Sequence, residues 1–222
     1  MPHALFTTYP TLRFAALGVA TSRSQLQLQP YGMSTTFLDA ATEPAWVERY
    51  HAVNRARFSG PLALPGWVLA DLYLLPSAIG LILDGEAIVA AYYAAPSLEP
   101  GTVVGVSLLS TREGLGAGYA VKALTLAMYR ARVQRGVTQW QSRALRVHTR
   151  FGALEVEGPA PAVHGAADDS FVYRVALDGA PQPPGEPVPI ATVKARVAAG
   201  ERVRIVAPGL TPGGDALMLA VH

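Results

Sequence analysis

Cysteine is absent from this chain of 222 residues. Disulfides, thiolate metal sites and cysteine nucleophiles are excluded with it. Lysine is nearly absent too: Lys122 and Lys194 are the only two, and arginine supplies the rest of the 18 basic side chains. Against 16 acidic residues the formal net charge is +2, too balanced for a nucleic-acid surface. No stretch reaches the ~18 apolar residues of a membrane span. The apolar run Phe14–Ala20, with Arg13 alone before it, is too short for a signal peptide. These absences set the expectation of a cytoplasmic protein with neither nucleic acid nor membrane as partner. What the chain does have is apolar material: 50% of it is hydrophobic, enough for a core and contrary to disorder.

The length allows one generous domain, or one with a small appendage. Residues 1–32 read as a weakly patterned extension with turn residues at Pro10, Pro30 and Gly32. A first strand is expected over Ser34–Leu38. Asp39 or Thr42 can cap a helix in which Pro44 suits the first turn and Trp46, Tyr50 and Val53 share one face. Ser59-Gly60-Pro61 and Pro65-Gly66 break the pattern around a short helix or turn near Trp67–Leu75. Three strand-like runs follow: Ala78–Leu83, ending at the hairpin signal Asp84-Gly85, then Ala87–Ala94 and Thr102–Leu109. They form an antiparallel meander, not a βαβ series.

Beyond residue 118 a helix is expected over Tyr119–Arg135, with Val121, Leu124, Met128 and Ala131 on one stripe and Gly136 as its stop. A short strand (Val137–Gln141), a short helix (Arg143–Phe151) closed by Gly152 and a late strand (Ser170–Leu177) come next. Residues 179–187 form a Pro/Gly linker. Residues 188–222 form a C-terminal α/β appendage with a helix at Thr192–Ala199 and strands at Arg202–Val206 and Ala216–Val221. Too short for a secure core of its own, this tail is expected to dock on the main domain, and its final strand is placed to pair across a homodimer. His164 with Asp168 and Asp169 shows no regular ligand spacing, so no metal site is read.

The informative segment runs from Thr102 to Leu124. A strand leads into glycines at 114, 116 and 118 and then straight into a helix. Glycines let the backbone approach a ligand and present successive N–H groups, and a helix N-terminus adds unpaired donors and partial positive charge. Such a turn suits a pyrophosphate. A dinucleotide-binding loop would open a parallel βαβ unit, and none is visible; the Gly-Lys-Ser/Thr of a nucleoside-triphosphate loop is missing. The bland alternative is a flexible strand-to-helix turn.

At these residues the chain resembles the GNAT superfamily, whose pattern is a strand, then Gln/Arg-x-x-Gly-x-Gly/Ala, then a helix. Gly116 and Gly118 stand at the two signature positions, with Gly114 before them. A second block, Gln141-x-x-Ala144-x-x-Val147-His148-x-x-x-Gly152, parallels the family's Asn-x-x-Ala-x-x-Leu-Tyr-x-x-x-Gly-Phe. The resemblance spans Ser34 to Leu177 and implies a mixed, mostly antiparallel sheet flanked by helices (an α/β domain over residues 33–178). It implies acyl transfer, most simply of acetyl, from acetyl-CoA or another acyl-CoA to a small-molecule amine, with no metal. The pantetheine arm would pair along Val106–Ser110, with Gly105 at a bulge and the N–H of Leu108 or Leu109 polarising the thioester carbonyl. CoA would be held by Leu108, Leu109 and Ser110 and, around the bend, by Arg112, Gly114, Leu115, Gly116, Ala117, Gly118 and Tyr119.

Three positions depart from the pattern. Glu113 falls where Gln or Arg is usual, Gln141 where Asn is usual, and His148 replaces the tyrosine that commonly protonates the departing CoA thiolate. His148 is the implied acid. No base is singled out among Glu99, Tyr92, Tyr93 and His51. Two alternatives keep the fold: a long-chain acyl donor delivered as acyl-CoA or on acyl carrier protein, or a CoA-binding assembly module that has lost catalysis.

Overall fold

The computed structural model describes residues 2–58, 63–160, 169–208 and 216–221. The Ser59-Gly60-Pro61 break, His164 and Asp168 lie outside these. The chain divides into two compact units, Met1–Ala131 and Arg132–His222.

The first unit runs α1 (His3–Thr8), β1 (Leu12–Gly18), α2 (Ala20–Gln25), β2 (Thr36–Asp39), α3 (Ala45–Arg57), α4 (Gly66–Leu69), α5 (Asp71–Leu74), β3 (Ala78–Asp84), β4 (Ala87–Pro96), β5 (Thr102–Ser110) and α6 (Ala117–Met128). Its strands lie in the order β2-β1-β3-β4-β5, with β1 and β2 parallel and the other pairs antiparallel. The expected meander is β3-β4-β5, turned at Gly85 with φ +60°. The stretch before residue 33 supplies β1, which pairs with β3 along its whole length. Its apolar run Phe14–Leu17 is buried strand.

Ala78 to Leu83 are buried without alternation because both faces of β3 are covered. On one face Tyr50 of α3 and Leu72 of α5 join Leu17, Leu81, Tyr93 and Leu109 in one core cluster. On the other, α6 packs on β3, β4 and β5, and its Val121, Leu124 and Met128 are fully buried. Each such side chain contributes about 1.5–3 kcal/mol on burial.

The second unit runs β6 (Val133–Gln139), α7 (Leu145–His148), β7 (Leu154–Pro159), β8 (Ser170–Ala176), β9 (Gly185–Pro189), α8 (Ile190–Ala198), β10 (Val203–Pro208) and β11 (Ala216–Ala220). The order is β6-β8-β7-β10-β11-β9, antiparallel throughout. Trp140, Phe171, Tyr173, Val193, Ile205 and Leu217 share its core.

Several expectations are corrected here. The helix expected over Tyr119–Arg135 stops at Met128. Arg130 then takes a left-handed φ of +51°, and Val133 already pairs with Ala176 in a ladder. The strand expected at Val137–Gln141 is therefore longer and earlier. Gly136, read as a helix stop, sits inside it, where a Cβ would come 2.9 Å from the Tyr173 hydroxyl. The Pro/Gly segment read as a linker contains the start of β9. Leu154–Pro159, for which no element was expected, is a strand. The tail was expected to dock on what precedes it, and Val203 of β10 does pair with Val156 of β7. The homodimer expected through the last strand finds no edge there: β11 has β10 on one side and β9 on the other.

Candidate functional site

β5 carries the chain into the glycine bend. Between Tyr93 and Ala94 of β4 the register slips, leaving Val106 of β5 as the extra residue of a bulge next to Gly105, where one was expected. Past the bulge the ladder is regular. Thr111 N–H donates to the Val89 carbonyl at 2.9 Å. Alternation along an antiparallel pair then turns the Leu109 N–H toward β4 and those of Leu108 and Ser110 away from it. Of the two amides considered for polarising a carbonyl, Leu108 has the outward orientation.

In the bend, Gly114 and Gly116 have φ +80° and +73°, a region that costs other residues about 1–2 kcal/mol. Gly116 is the N-cap of α6, and no side chain caps that end. Both glycines are exposed, and Leu115 and Gly118 are partly so. Among the described residues, the N–H groups of Gly114, Leu115, Gly116, Ala117 and Gly118 have no acceptor. A Cβ built on Gly114, Gly116 or Gly118 meets nothing within 4 Å. Gly118 is the telling position: its backbone is helical and its surroundings are open, so neither strain nor packing asks for glycine there. Five unanswered donors at the positive end of a twelve-residue helix make a cradle suited to a multiply charged anion such as a diphosphate.

The charges beside the bend are paired sideways. Glu113 meets Arg57 of α3 at 3.2 Å, which offsets an anion that would otherwise face the cradle. Arg112 reaches Asp84 at 2.8 Å. Hydrogen bonds from Arg112 and then Thr11 hold the Asp84 carboxyl below the ordinary range. Tyr119, in the first turn of α6, lies near Tyr31, a phenol whose pKa is raised by burial and secondarily by Tyr119. Tyr31 comes from the stretch read as an unpatterned extension and has φ +54°. No sequence signal marked it.

Beneath the β5 bulge lies a polar cluster that sequence reasoning missed. Asn54 of α3, fully buried, donates from Nδ2 to Ser107 Oγ at 3.1 Å and accepts the Leu64 N–H at Oδ1 at 2.8 Å. The Tyr50 phenol is wholly buried beside Ser107 and Asn54, and burial pushes its pKa up. A signal did exist: Asn54 falls four residues after Tyr50, on a helix face otherwise apolar. The groups considered as bases are dispersed. Tyr93 donates to the Val68 carbonyl at 3.3 Å, His51 Nε2 is 3.1 Å from the Leu64 carbonyl oxygen, and Glu99 is exposed in the β4–β5 turn. Tyr92 is buried, with the Lys122 ammonium 5.8 Å from its ring centroid.

In the second unit, His148 ends α7 and is 5% exposed. Its Nδ1 lies 3.1 Å from the Tyr173 hydroxyl. Asp169 is ion-paired with Lys194 at 2.9 Å. Among the described residues no three His, Asp or Glu side chains converge as metal ligands, and no helix is long and apolar enough to cross a membrane.

No protein-family model matches the chain, and no curated protein matches it. Solved structures do. A chain of the NatC complex bound to Gag peptide and CoA is 14% identical, with a TM-score of 0.52 over 63% of this chain and 95% of that one. A protein from Desulfovibrio desulfuricans assigned to the GNAT family of acetyltransferases is 15% identical, with a TM-score of 0.46 over 75% and 99%. One from Salmonella typhimurium, assigned as an acetyltransferase and solved with acetyl-CoA, is 19% identical, with a TM-score of 0.47 over 66% and 94%. At these identities the likeness is one of fold, and it rests on the first of the three.

Proposed function

We propose that this chain, which has the GNAT fold, binds an acyl-CoA through the Gly114–Gly118 bend and transfers the acyl group, acetyl in the simplest case, to the amine of a small molecule. The observation that carries the reading is the set of five successive amides without an acceptor among the described residues, at a bend whose third glycine has no internal reason to be one. The NatC complex, which contains a chain of this fold, is bound to CoA.

On this reading Gly114, Leu115, Gly116, Ala117 and Gly118 hold the diphosphate with their N–H groups. Arg112 and Tyr119 flank it. Leu108 and Ser110 offer outward backbone groups to the pantetheine arm, as an added strand would use them, and the Leu108 N–H polarises the thioester carbonyl. The amine attacks as its neutral form, and the C–S bond breaks with its electron pair on sulfur. A thiol of pKa near ~8.5 departs readily as thiolate, so the group at position 148 need only stabilise it. The resemblance assigns that place to His148. Glu113, paired with Arg57, is compatible with the cradle.

Calorimetric titration with acetyl-CoA, followed by thiol release across a panel of amines, tests this. Saturable binding with amine-dependent release is the expected result. No saturable binding at millimolar ligand would refute the reading, and binding without release for any amine would favour an assembly module instead.

A further inference from the structure

The second unit carries a small pocket that the functional proposal does not use. Its volume is about 280 Å³, and Gln139, Trp140, Gln141, Asp169, Ile190 and Lys194 line it. Three local features bring these residues together. Ser170 lies opposite Gln139 in the β6–β8 ladder, and the Trp140 N–H donates to the Asp169 carbonyl at 2.9 Å, so Asp169 is held beside the end of β6. The Ser142 N–H closes a turn on the Gln139 carbonyl at 3.1 Å, and Gln141 lies within that turn. Ile190 and Lys194 stand about one turn apart in the first half of α8 and so share a face. Trp140 is 4% exposed, and its ring centroid lies 4.2 Å from that of Phe171, which fixes the wall it forms.

The pocket carries both signs of charge side by side. Lys194 Nζ lies 2.9 Å from Asp169 Oδ1, and their side chains are 38% and 74% exposed. An ion pair so open to water contributes little to stability, so a ligand separates the two groups easily. A bare anion drawn to Lys194 would face Asp169, and a bare cation drawn to Asp169 would face Lys194. A molecule with an ammonium and a carboxylate on one carbon answers both, its carboxylate meeting Lys194 and its ammonium Asp169 through charge-assisted hydrogen bonds. Beside the pair, Gln139 and Gln141 supply carboxamides, which both donate and accept. Among the described residues the lining holds no further charge. The volume falls just below the ~300 Å³ at which small-molecule sites begin, so the occupant is small. We infer that this pocket binds a free α-amino acid whose side chain is polar and uncharged. The Asp169–Lys194 pair takes the α-ammonium and α-carboxylate, and the two glutamines take the side chain. The inference goes beyond the proposed acyl transfer and needs no acyl-CoA.

The test is calorimetric titration of the full chain, without acyl-CoA, with L-glutamine, L-asparagine, L-serine and L-threonine as probes. Saturable binding of at least one is expected. For that probe, binding should be lost when the ammonium is acetylated or the carboxylate is converted to its amide. L-Glutamate and L-lysine, each with a third charge that the lining does not match, should bind more weakly. Asp169→Asn and Lys194→Met should each weaken binding on the order of 10- to 100-fold, the effect of losing a hydrogen bond to a charged group. Both side chains are open to water, so urea denaturation should find these variants about as stable as the wild type. No saturable binding of any of the four probes at millimolar concentration overturns the inference, and that readout needs no variant to fold. Equal binding of the blocked forms also overturns it, because the zwitterion would then not be what is recognised. Wild-type affinity in both variants overturns it too, because the ligand would lie elsewhere.

Discussion

Thr125 of α6 lies over Gly80 of β3 so closely that a Cβ built on the glycine would run into its hydroxyl. Both are buried in the sheet–helix layer, and Thr125 Oγ1 is already committed to the Val121 carbonyl at 2.7 Å. This seat sets how near α6 sits to β3, and α6 carries the glycine bend at its N-terminus. Gly80→Ala should therefore destabilise by about 1–3 kcal/mol through overpacking. Urea denaturation reads the loss, and Thr125→Ala in the same chain should recover most of it. An unchanged midpoint for Gly80→Ala would show that the layer has room the structure denies.

Gly118→Glu separates folding from binding, because the two should move in opposite directions. The position is helical and open. Replacing glycine in a helix gains up to about 1 kcal/mol, and a carboxylate in the first turn adds about 0.3–1 kcal/mol. The same carboxylate stands where the diphosphate is proposed to sit. Thermal unfolding should show a higher Tm and calorimetry a loss of acetyl-CoA affinity. A stabilised variant that binds as the wild type does would move the diphosphate elsewhere.

Asn54→Ala leaves the buried Leu64 N–H without its acceptor and the half-buried Ser107 without a donor. The cost should be about 1–3 kcal/mol, the price of an unsatisfied buried group. Because Asn54 ties the chain after α3 to β5 beside the bulge, the variant should also raise KM for the amine more than for acyl-CoA. Equal stability of wild type and variant in denaturant would mean that these bonds are replaced by water.

Lys122 is fully buried in α6, and burial holds its pKa well below the ordinary lysine value. The unfolded chain keeps that proton up to a pH of roughly 10.4, whereas the folded chain releases it earlier. Between those two pH values the unfolded state binds more protons, so stability climbs as pH rises. Lys122→Met should be more stable than wild type at neutral pH and should lack that climb. Parallel stability–pH curves for the two proteins would contradict this.

The glycine bend was legible from sequence because its requirement is local. Alternating glycines between a strand and a helix show in a few residues, and the chain turns there with positive φ at Gly114 and Gly116. The β3-β4-β5 meander was legible for a similar reason, since the Asp84-Gly85 turn and the apolar runs around it are contiguous. The end of α6 was not. Residues 129–135 tolerate a helix as well as a strand, and the choice is made by pairing with β8, which is distant in sequence. Gly136 shows the same limit. As a letter it looks like a helix stop, and only the Tyr173 ring across the ladder reveals why it is there. β1 was hidden because a strand covered on both faces lacks alternation. Its apolar run was weighed against signal peptides and not against the sheet.

The most direct measurement is an amide chemical-shift titration with coenzyme A. The N–H signals of Gly114, Leu115, Gly116, Ala117 and Gly118 should move together, along one saturating curve, as their donors meet the diphosphate. Binding that leaves these five signals in place while others shift would contradict the account.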